Sequence, residues 1–378
     1  MPHYKFSEIA FNITEKRMPT TQDKDLYVGL EHLDSGSLAV TRWGSPVEIK
    51  GQKLVMSKGD LLFGRRNTYL KRAAIAPHDG LFSAHGMIFR PKTRVINSEL
   101  FPFFISSAHF MEEAIRISVG SLSPTVNWGT LKDLEFDLPP IEKQSMLTEV
   151  LVAANETKEA YKNLLSITDE LLKSQFIELF GDPATNMKRW PIVSLKDLFN
   201  VRSSKRVYQG EQTNQGVPFL RVADLVQKIG GSEASCDLYI SDEQYNDFLQ
   251  NGLVPNSQDI LVTTRGTLGK CYIIQPNDRF YFQDGMISWL EKTDVEVESV
   301  YISYFFEMDS LKRQVAVVSK GATVDFLSLD KLGKLKIMYP DYRLQRQFAA
   351  FVQQVDKSKF ELQQTLDKLN ATMKMLMQ

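Results

Sequence analysis

The stretch Asp60–Pro77 reads DLLFGRRNTYLKRAAIAP, and the stretch Asp259–Pro276, 199 residues later, reads DILVTTRGTLGKCYIIQP. Seven of the 18 positions are identical, and similarity at a fixed offset indicates a repeated structural unit. The identical positions are Asp60/Asp259, Leu62/Leu261, Arg66/Arg265, Thr68/Thr267, Lys71/Lys270, Ile75/Ile274 and Pro77/Pro276.

Other segments repeat in the same order on both sides of this stretch. The matching pairs are FSEIAFNITEKR from Phe6 with LKDLFNVRSSKR from Leu195, YVGLEHL from Tyr27 with FLRVADL from Phe219, Gly86-Met87-Ile88 with Gly285-Met286-Ile287, and LKDLEFDLP from Leu131 with LGKLKIMYP from Leu332. The offset drifts from 189 to 201, as small loop insertions would cause. The chain is therefore predicted to contain two copies of one unit. The alternative is a duplicated fold whose copies share no function.

Each copy is predicted to end in a long helix with a heptad pattern. After Pro139 and Pro340, spacings of four and three select apolar positions that can form a seam for another helix. Gly181-Asp182-Pro183 is a typical helix end. The expected antiparallel pairing uses Leu147, Leu151, Leu165, Leu172, Phe348, Val352, Val355, Leu362, Leu366 and Leu369. Both copies also place a lysine on this seam, Lys158 and Lys359. The alternative is that each helix packs only on its own globular part.

Short apolar runs bounded by glycine loops predict strands in both globular parts, including Leu61–Phe63 and Ile260–Thr263. The segments Phe101–Ile117 and Ser299–Val318 predict helices. The expected fold class is α+β: two repeated globular domains with largely antiparallel sheets, separated by two long helices that form an antiparallel coiled coil. The predicted division is 1–138, 139–181, 182–339 and 340–378.

Composition bounds the class of protein. The 378 residues are 43% hydrophobic, carry a formal net charge of −1 and include only two cysteines, so a cysteine-rich zinc site or a disulfide framework is excluded. No apolar run approaches the ~20 residues of a membrane helix, and the amino terminus lacks a signal-peptide core. A soluble, cytoplasmic protein is expected.

Positive charge is concentrated locally in spite of the neutral total. Residues 42–94 contain 11 basic and 3 acidic residues, and residues 188–228 contain 8 basic and 3 acidic ones. Residues 229–259 contain 6 acidic residues and no basic one. A basic patch in each repeat favours binding to nucleic acid phosphates, although a solvated surface is the alternative for either patch alone.

The motif Arg65-Arg66-Asn67-Thr68 and its counterpart at 264–267 lie between predicted strands, where their side chains can project from a loop. Arginine and asparagine can bond guanine and adenine edges, whereas phosphate contacts or a structural turn are the alternatives. For Arg66 and Arg265 a phosphate contact is the favoured expectation. The complete set of candidate DNA contacts is Lys16, Arg17, Arg42, Arg65, Arg66, Asn67, Thr68, Lys71, Lys205, Arg206, Arg221, Arg265, Thr267 and Lys270.

Catalytic motifs are weak throughout the sequence. The five histidines lack metal-ligand spacing, and RGTLGK from Arg265 lacks the first glycine and the Ser or Thr of a phosphate-binding loop. No glycine-rich dinucleotide motif, adenine-methyltransferase motif or nuclease carboxylate cluster is recognisable. We therefore expect no catalytic residue, no metal and no cofactor in this chain.

Several segments resemble a known family. LKDLEFDLPPIEKQ at 131–144, ELLKSQFIELFGDP at 170–183, WPIVSLKDLF at 190–199 and a second P-x-x-x-x-Q start at Pro340/Gln345 are similar to the specificity subunit of type I restriction-modification systems. The resemblance covers essentially the whole chain and rests on the helices and the repeat. The second start, YPDYRLQRQ, departs from the family's usual Pro-rich, Glu-Gln-containing form.

The resemblance implies two target-recognition domains, each reading half of a split site in double-stranded DNA. It also implies helices that set the spacer and bind two modification subunits, which carry S-adenosylmethionine and methylate adenine, with separate restriction subunits that cleave DNA. The other readings of the sequence are a fused methyltransferase, a stand-alone coiled-coil scaffold, and a nucleic-acid-binding module outside restriction-modification, including one that prefers RNA.

Overall fold

The computed structural model describes residues 2–231, 236–321 and 324–377. The chain forms two compact units: unit 1 is Met1–Asn163 with Leu362–Gln378, and unit 2 is Leu164–Glu361. Met1 and Gln378, which bound the first and last predicted segments, and part of the acidic stretch 229–259 lie outside the described residues. The four-part division of the chain stays a prediction.

The first globular part contains ten strands and four short helices among its described residues. In chain order they are β1 His3–Lys5, α1 Phe6–Ile9, β2 Ala10–Ile13, β3 Lys16–Arg17, β4 Tyr27–Val28, β5 Lys53–Met56, β6 Leu61–Phe63, β7 Ala73–Ile75, β8 Gly80–Phe82, β9 Met87–Pro91, α2 Phe101–Ser106, α3 Ala108–Arg116, α4 Trp128–Leu131 and β10 Glu135–Asp137. The long helix α5 follows at Ile141–Phe180.

The second globular part repeats this order with additions. Its elements are β11 Ile192–Ser194, β12 Phe199–Ser203, β13 Val217–Leu220, α6 Val222–Ile229, β14 Tyr239–Ile240, α7 Asp242–Gln250, β15 Ile260–Thr263, β16 Cys271–Ile273, β17 Tyr281–Phe282, β18 Ile287–Lys292, α8 Ser299–Glu307, α9 Asp309–Ser319, α10 Leu329–Gly333 and β19 Lys336–Met338. The helix α11, Tyr342–Leu376, completes the chain.

Corresponding strands occupy corresponding places in the two units. The antiparallel sheet of unit 1 has the order β2-β9-β6-β7, and that of unit 2 has the order β12-β18-β15-β16. Each unit also contains one parallel pair, β4 with β8 and β13 with β17. The prediction of an α+β fold with largely antiparallel sheets is confirmed.

The central strand β6 is apolar at every position, and β15 at every position except its last, Thr263, because both faces of each strand are buried. In β6, Leu61 and Phe63 belong to the core formed with α2 and α3, whereas Leu62 points into a second core with Val28 and Phe82. In β15 the side chains divide between two cores in the same alternating way. A period of two along the strand produces this division, and a run of apolar residues without alternation is its sequence signature.

The predicted single helices over Phe101–Ile117 and Ser299–Val318 are wrong in one respect, because each is divided in two. The breaks fall at Ser107 and Met308, which have extended backbone conformations. The hydroxyl of Ser107 accepts a hydrogen bond from the backbone N–H of Phe110 at 3.2 Å, which caps the start of α3. Apolar periodicity continues across a one-residue break, so the pattern alone does not locate it.

The two long helices pack against each other, as predicted. In unit 1 the first part of α5 shares a core with the last part of α11, through Leu151 and Met373. In unit 2 the last part of α5 shares a core with the first part of α11, where the rings of Phe176 and Phe348 lie 5.5 Å apart. The helices therefore run antiparallel. Gly181 ends α5 with φ +81°, a left-handed conformation that glycine adopts without strain.

Candidate nucleic-acid interface

The arginine loops of the two units are held by equivalent backbone contacts. Arg66 forms an isolated antiparallel bridge with Thr125, and Arg265 forms one with Phe326. In unit 1 the N–H of Val126 donates to the carbonyl of Arg65 at 3.0 Å. In unit 2 the N–H of Leu327 donates to the carbonyl of Thr264, also at 3.0 Å. A distant segment of each unit therefore fixes its loop, and Arg66 and Arg265 occupy the same structural position.

After these two loops, the strands β7 and β16 are shifted by one residue relative to the ungapped sequence alignment of the two repeats. Gly64 N–H donates to the carbonyl of Arg72, and Thr263 N–H donates to the carbonyl of Lys270, both at 2.9 Å. Arg72, not Lys71, thus takes the place of Lys270. The alignment of Lys71 with Lys270 is wrong because the loop of unit 2 is one residue shorter.

Within the loop of unit 1 the predicted residues divide into exposed and supporting ones. Arg66 is exposed and Arg65 half-buried, but Thr68 is buried, and its hydroxyl donates to the carbonyl of Arg65 at 2.8 Å. Asn67 has a left-handed backbone with φ 54°, which asparagine tolerates better than most residues. The structure therefore does not bring Thr68 to the surface, and its counterpart Thr267 is exposed.

Lys53 and His85 of unit 1 lie near this loop. His85 is exposed between β8 and β9, and its pKa is lowered by burial and by the positive charges of Arg66, Arg65 and Lys53. His85 and Lys53 were missed as individual sites, although both lie within the basic segment 42–94. A cluster of cations without a carboxylate in direct contact is the electrostatic pattern of an anion-binding surface.

Two other arginine candidates of unit 1 are engaged by carboxylates. Arg17 bonds Asp23 at 2.5 Å and holds the pKa of this buried carboxyl well below its usual range. Arg42 bonds Asp34 at 2.7 Å. Their charges are compensated locally, so a phosphate would have to compete with the carboxylate for either guanidinium.

The lysine candidates of unit 1 lie on β3 and shortly before β7. Lys16 is exposed on β3. Lys71 lines a separate cavity of about 200 Å³ together with Lys158.

In unit 2 three predicted residues line one open cleft of about 660 Å³: Arg221, Arg265 and Thr267. The other lining residues are Val222, Ala223, Val226, Gly266, Gln283, Met286 and Val324. Arg221 precedes α6 and bonds Asp224 at 3.2 Å and Asp237 at 2.6 Å. Arg265 is exposed and has no carboxylate partner within the described part of the chain.

The remaining candidates of unit 2 are not in this cleft. Arg206 bonds Asp284 at 2.8 Å, and Lys270 bonds Glu307 at 2.8 Å. The ammonium of Lys205 lies 5.1 Å from the centre of the Phe248 ring. The structure thus leaves Arg265 as the cation of the cleft without an ion pair, counting only residues that it describes.

The predicted pairing residues are all buried or half-buried. Leu151, Leu172, Phe348, Val352, Val355 and Leu366 are buried, and Leu147, Leu165, Leu362 and Leu369 are half-buried. Other apolar positions on α5, such as Val150, Leu164 and Leu171, are about half exposed. The aromatic residues Phe180 and Tyr301, which contact Phe176, add a core that the heptad spacing does not reveal.

Within residues 2–231, 236–321 and 324–377, no three or more His, Cys, Asp or Glu side chains are grouped so that they could hold a metal ion. Over the same residues, no helix is both long and apolar enough to cross a membrane.

Comparison with known proteins finds similar sequences for much of this chain. Residues 187–370 match the family model of the type I restriction modification DNA specificity domain. A Haemophilus influenzae protein described as type I restriction enzyme specificity subunit S.HindORF215P is 26% identical over 227 residues, or 59% of this chain and 56% of the relative. The type I restriction enzyme MjaIX specificity subunit of Methanocaldococcus jannaschii is 24% identical over 284 residues, or 70% of this chain and 63% of the relative. The chain thus spans less than two thirds of the length of either relative.

Solved structures share the fold along the full chain. The S subunit of a type I restriction-modification system from M. genitalium matches 100% of this chain and 94% of its own length, with a TM-score of 0.57 and 15% identity. A chain from a structure on complex assembly and conformational transition of the type I R-M system matches 100% and 96%, with a TM-score of 0.51 and 16% identity. At these identities the likeness shows the fold.

The repeated units and the paired helices have the fold of these solved structures, and residues 187–370 match the DNA specificity domain. The chain is similar to type I restriction-modification specificity subunits.

Proposed function

We propose that this chain is a sequence-specific DNA-binding subunit that reads a bipartite site in double-stranded DNA and docks methyltransferase subunits. The observation that carries the proposal is the pair of equivalent loops that present Arg66 and Arg265. Two units that present an arginine from the same structural position suit a DNA site in two parts.

Charge supports DNA as the ligand of unit 1. Arg65, Arg66 and Lys53, which lie near His85, offer cations that a phosphate can contact. Contacts of this kind supply most of the sequence-independent affinity of DNA-binding proteins. In unit 2, the cleft beside Arg265 combines a cation with polar and apolar groups, as base recognition requires.

The paired helices support a spacer role. Helix α5 has 40 residues and α11 has 35, and such rods rise about 1.5 Å per residue. Their exposed apolar side chains, including Val150, Leu164 and Leu171 on α5, offer contacts to partner subunits. We propose two modification subunits as these partners, with restriction subunits added in a full complex acting on cytoplasmic DNA.

We propose that chemistry belongs to those partners. The described residues hold no grouped metal ligands, and the sequence contains no recognisable methyltransferase motif. The proposal therefore assigns S-adenosylmethionine to the modification subunits and no cofactor to this chain. Binding of S-adenosylmethionine by the isolated chain would contradict this assignment and favour a fused methyltransferase.

The decisive experiment maps methylated adenines in DNA from cells that express this chain with the neighbouring modification gene. The expected result is a split motif with a fixed spacer. Replacing residues 1–138 with the equivalent domain of another family member should change one half of the motif only. Methylation at a single continuous motif, or a change in both halves with both domains folded, would refute separate reading.

A direct binding measurement complements the cellular one. The purified chain should bind double-stranded DNA with an affinity that falls steeply as salt rises, because cations released from phosphates drive association. Salt-independent or undetectable binding to both DNA and RNA would favour a coiled-coil scaffold. Stronger binding to RNA of equal length would favour an RNA-binding module.

A further inference from the structure

The cleft of unit 2 contains Gln283, an uncharged polar side chain that takes no part in the ion pairs of this region. Gln283 follows β17, and its backbone N–H donates to the carbonyl of Leu220 at 3.0 Å, which fixes the start of the side chain. The residue is half-buried and lines the cleft together with Arg265. Its side-chain amide has no hydrogen-bond partner within the described part of the chain. An amide in this state has both a donor and an acceptor available for a ligand.

The wall beside Gln283 is apolar. Val222, Ala223 and Val226 contribute it from α6, and Met286 contributes from the turn before β18. A phosphate site requires several N–H groups or cations and gains nothing from such a wall. An apolar wall next to a donor-acceptor pair suits the major-groove edge of an A·T base pair, because thymine carries a methyl group there and adenine carries N6–H and N7.

The charges of the cleft agree with a base edge. Arg221 is bonded to Asp224 and Asp237, so its charge is compensated. Arg265 lines the same cleft and has no carboxylate partner among the described residues. One available cation, one free amide and an apolar wall form a surface of mixed chemistry, unlike the cation cluster around His85 in unit 1.

Unit 1 does not repeat this arrangement. Ser83 takes the position of Gln283, since its N–H donates to the carbonyl of Val28 at 3.0 Å just as Gln283 donates to Leu220. Ser83 is buried, so it has no long amide to offer to a ligand. The feature is therefore specific to unit 2.

We propose that Gln283 is a base-reading residue of unit 2, which bonds the N6–H and N7 of an adenine while the thymine methyl of the same pair meets the wall of Val222 and Met286. The proposal rests on the proposed function, since it needs DNA in the cleft. It predicts an A·T pair in the half-site read by unit 2.

The test selects preferred sequences from a pool of random double-stranded DNA with the full chain and its variants. Gln283→Ala should lower the preference for that A·T pair by about 5- to 150-fold and leave the other half-site unchanged. Gln283→Glu, which keeps the side-chain size, should shift the preference from adenine to cytosine, because a carboxylate accepts from cytosine N4. Gln250→Ala, at the exposed end of α7, is the matched control and should keep the wild-type motif.

The outcomes separate this proposal from the proposed function. If the wild-type chain selects no sequence, the proposed function fails. If the wild-type chain selects a split motif but Gln283→Ala or Gln283→Glu keeps every base preference, Gln283 is not a reading residue. An even loss of affinity across all sequences by a folded variant would also overturn the proposal, because it would indicate a phosphate contact. Gln283→Glu still decides the question if the alanine variant does not fold.

Discussion

The loops around Arg66 and Arg265 have the same backbone attachment and different surroundings. In unit 1 the arginine lies among Arg65, Lys53 and His85. In unit 2 it lines a cleft with an apolar wall, and nearby cations such as Arg206 are bonded to carboxylates. The two units therefore share the loop backbone that presents an arginine, whereas the side chains around this arginine differ. The backbone of the loop determines where the arginine contacts a ligand, and the surrounding side chains determine which chemical group it contacts.

The largest expected effect is on stability, and it compares equivalent heptad positions of the two long helices. Phe348 in unit 2 is fully buried against Phe176, whereas its counterpart Leu147 in unit 1 is half-buried. Phe348→Ala should cost about 3–5 kcal/mol of stability, and Leu147→Ala less than about 2 kcal/mol. Thermal unfolding followed by circular dichroism measures the difference.

The control for this pair is Val150→Ala, since Val150 is 49% exposed on α5. It should change stability by less than about 0.5 kcal/mol. Equal losses from Phe348→Ala and Leu147→Ala would mean that the two ends of the helix pair are equally packed in solution.

The next effect distinguishes the two arginines on DNA. Arg66→Ala should lower affinity evenly across sequences and reduce the salt slope by about one, because Arg66 lies in a cluster suited to phosphate. Arg265→Ala should cost about 1–3 kcal/mol on cognate DNA and relax one base, because its cleft suits base edges. Binding of each variant to cognate and scrambled DNA at several salt concentrations separates these effects. The comparison breaks down if both variants behave alike.

A smaller effect is expected at the lysines that the repeat places on the helix seam. Lys359 bonds Asp169 at 2.6 Å, and both groups are partly exposed. Lys158 instead donates to the carbonyl of Gly36 at 2.7 Å, and burial lowers its pKa. Asp169→Asn should cost about 0.2–1 kcal/mol at low salt and almost nothing at 1 M salt.

Lys158→Met is the matched variant in unit 1. Its effect on the unfolding midpoint should depend on salt less than that of Asp169→Asn, since the hydrogen-bond acceptor of Lys158 is an uncharged carbonyl and the nearby charges of Lys162 and Glu159 act in opposite directions. A salt dependence as large as that of Asp169→Asn would contradict this expectation.

The smallest effect is on the titration of His85. Its pKa should lie below the ordinary 6.5, and Arg66→Ala should raise it because a neighbouring positive charge is removed. Nuclear magnetic resonance of the imidazole measures the shift, and Arg42→Ala, whose charge is paired with Asp34, should leave it unchanged. Because the folded-state pKa is lowered, protonation of His85 should reduce stability as the pH falls below 6.5. A pKa that Arg66→Ala leaves unchanged would remove His85 from the cluster.

Much of the architecture could be predicted from local pattern. Heptad spacing selected the seam positions Leu151 and Leu172 on α5 and Val352 on α11, because a period of 3.5 leaves only one face for a partner helix. Apolar runs located β6 and β15, since a strand buried on both faces has no polar side. The similarity of the two arginine loops identified the repeat.

Other features depend on residues that are distant in the sequence. Arg206 is compensated by Asp284, and Lys270 by Glu307, so basic composition overstated the positive surface of unit 2. Gln283 was not predicted as a DNA contact, because a single glutamine belongs to no recognisable sequence motif. Only the cleft formed by α6, the arginine loop and the turn before β18 gives it a role.

The sequence by itself determined that the chain is a duplicated unit with two long helices, because repeats and periodicity can be recognised from the order of residues alone. Tertiary structure alone decided which cations stay unpaired, that the return strand of the second loop is one residue out of register, and that Thr68 is buried. The physical reason is that ion pairing, hydrogen-bond register and burial depend on the atoms that folding brings within a few ångströms. The spacing of residues along the chain does not contain that information.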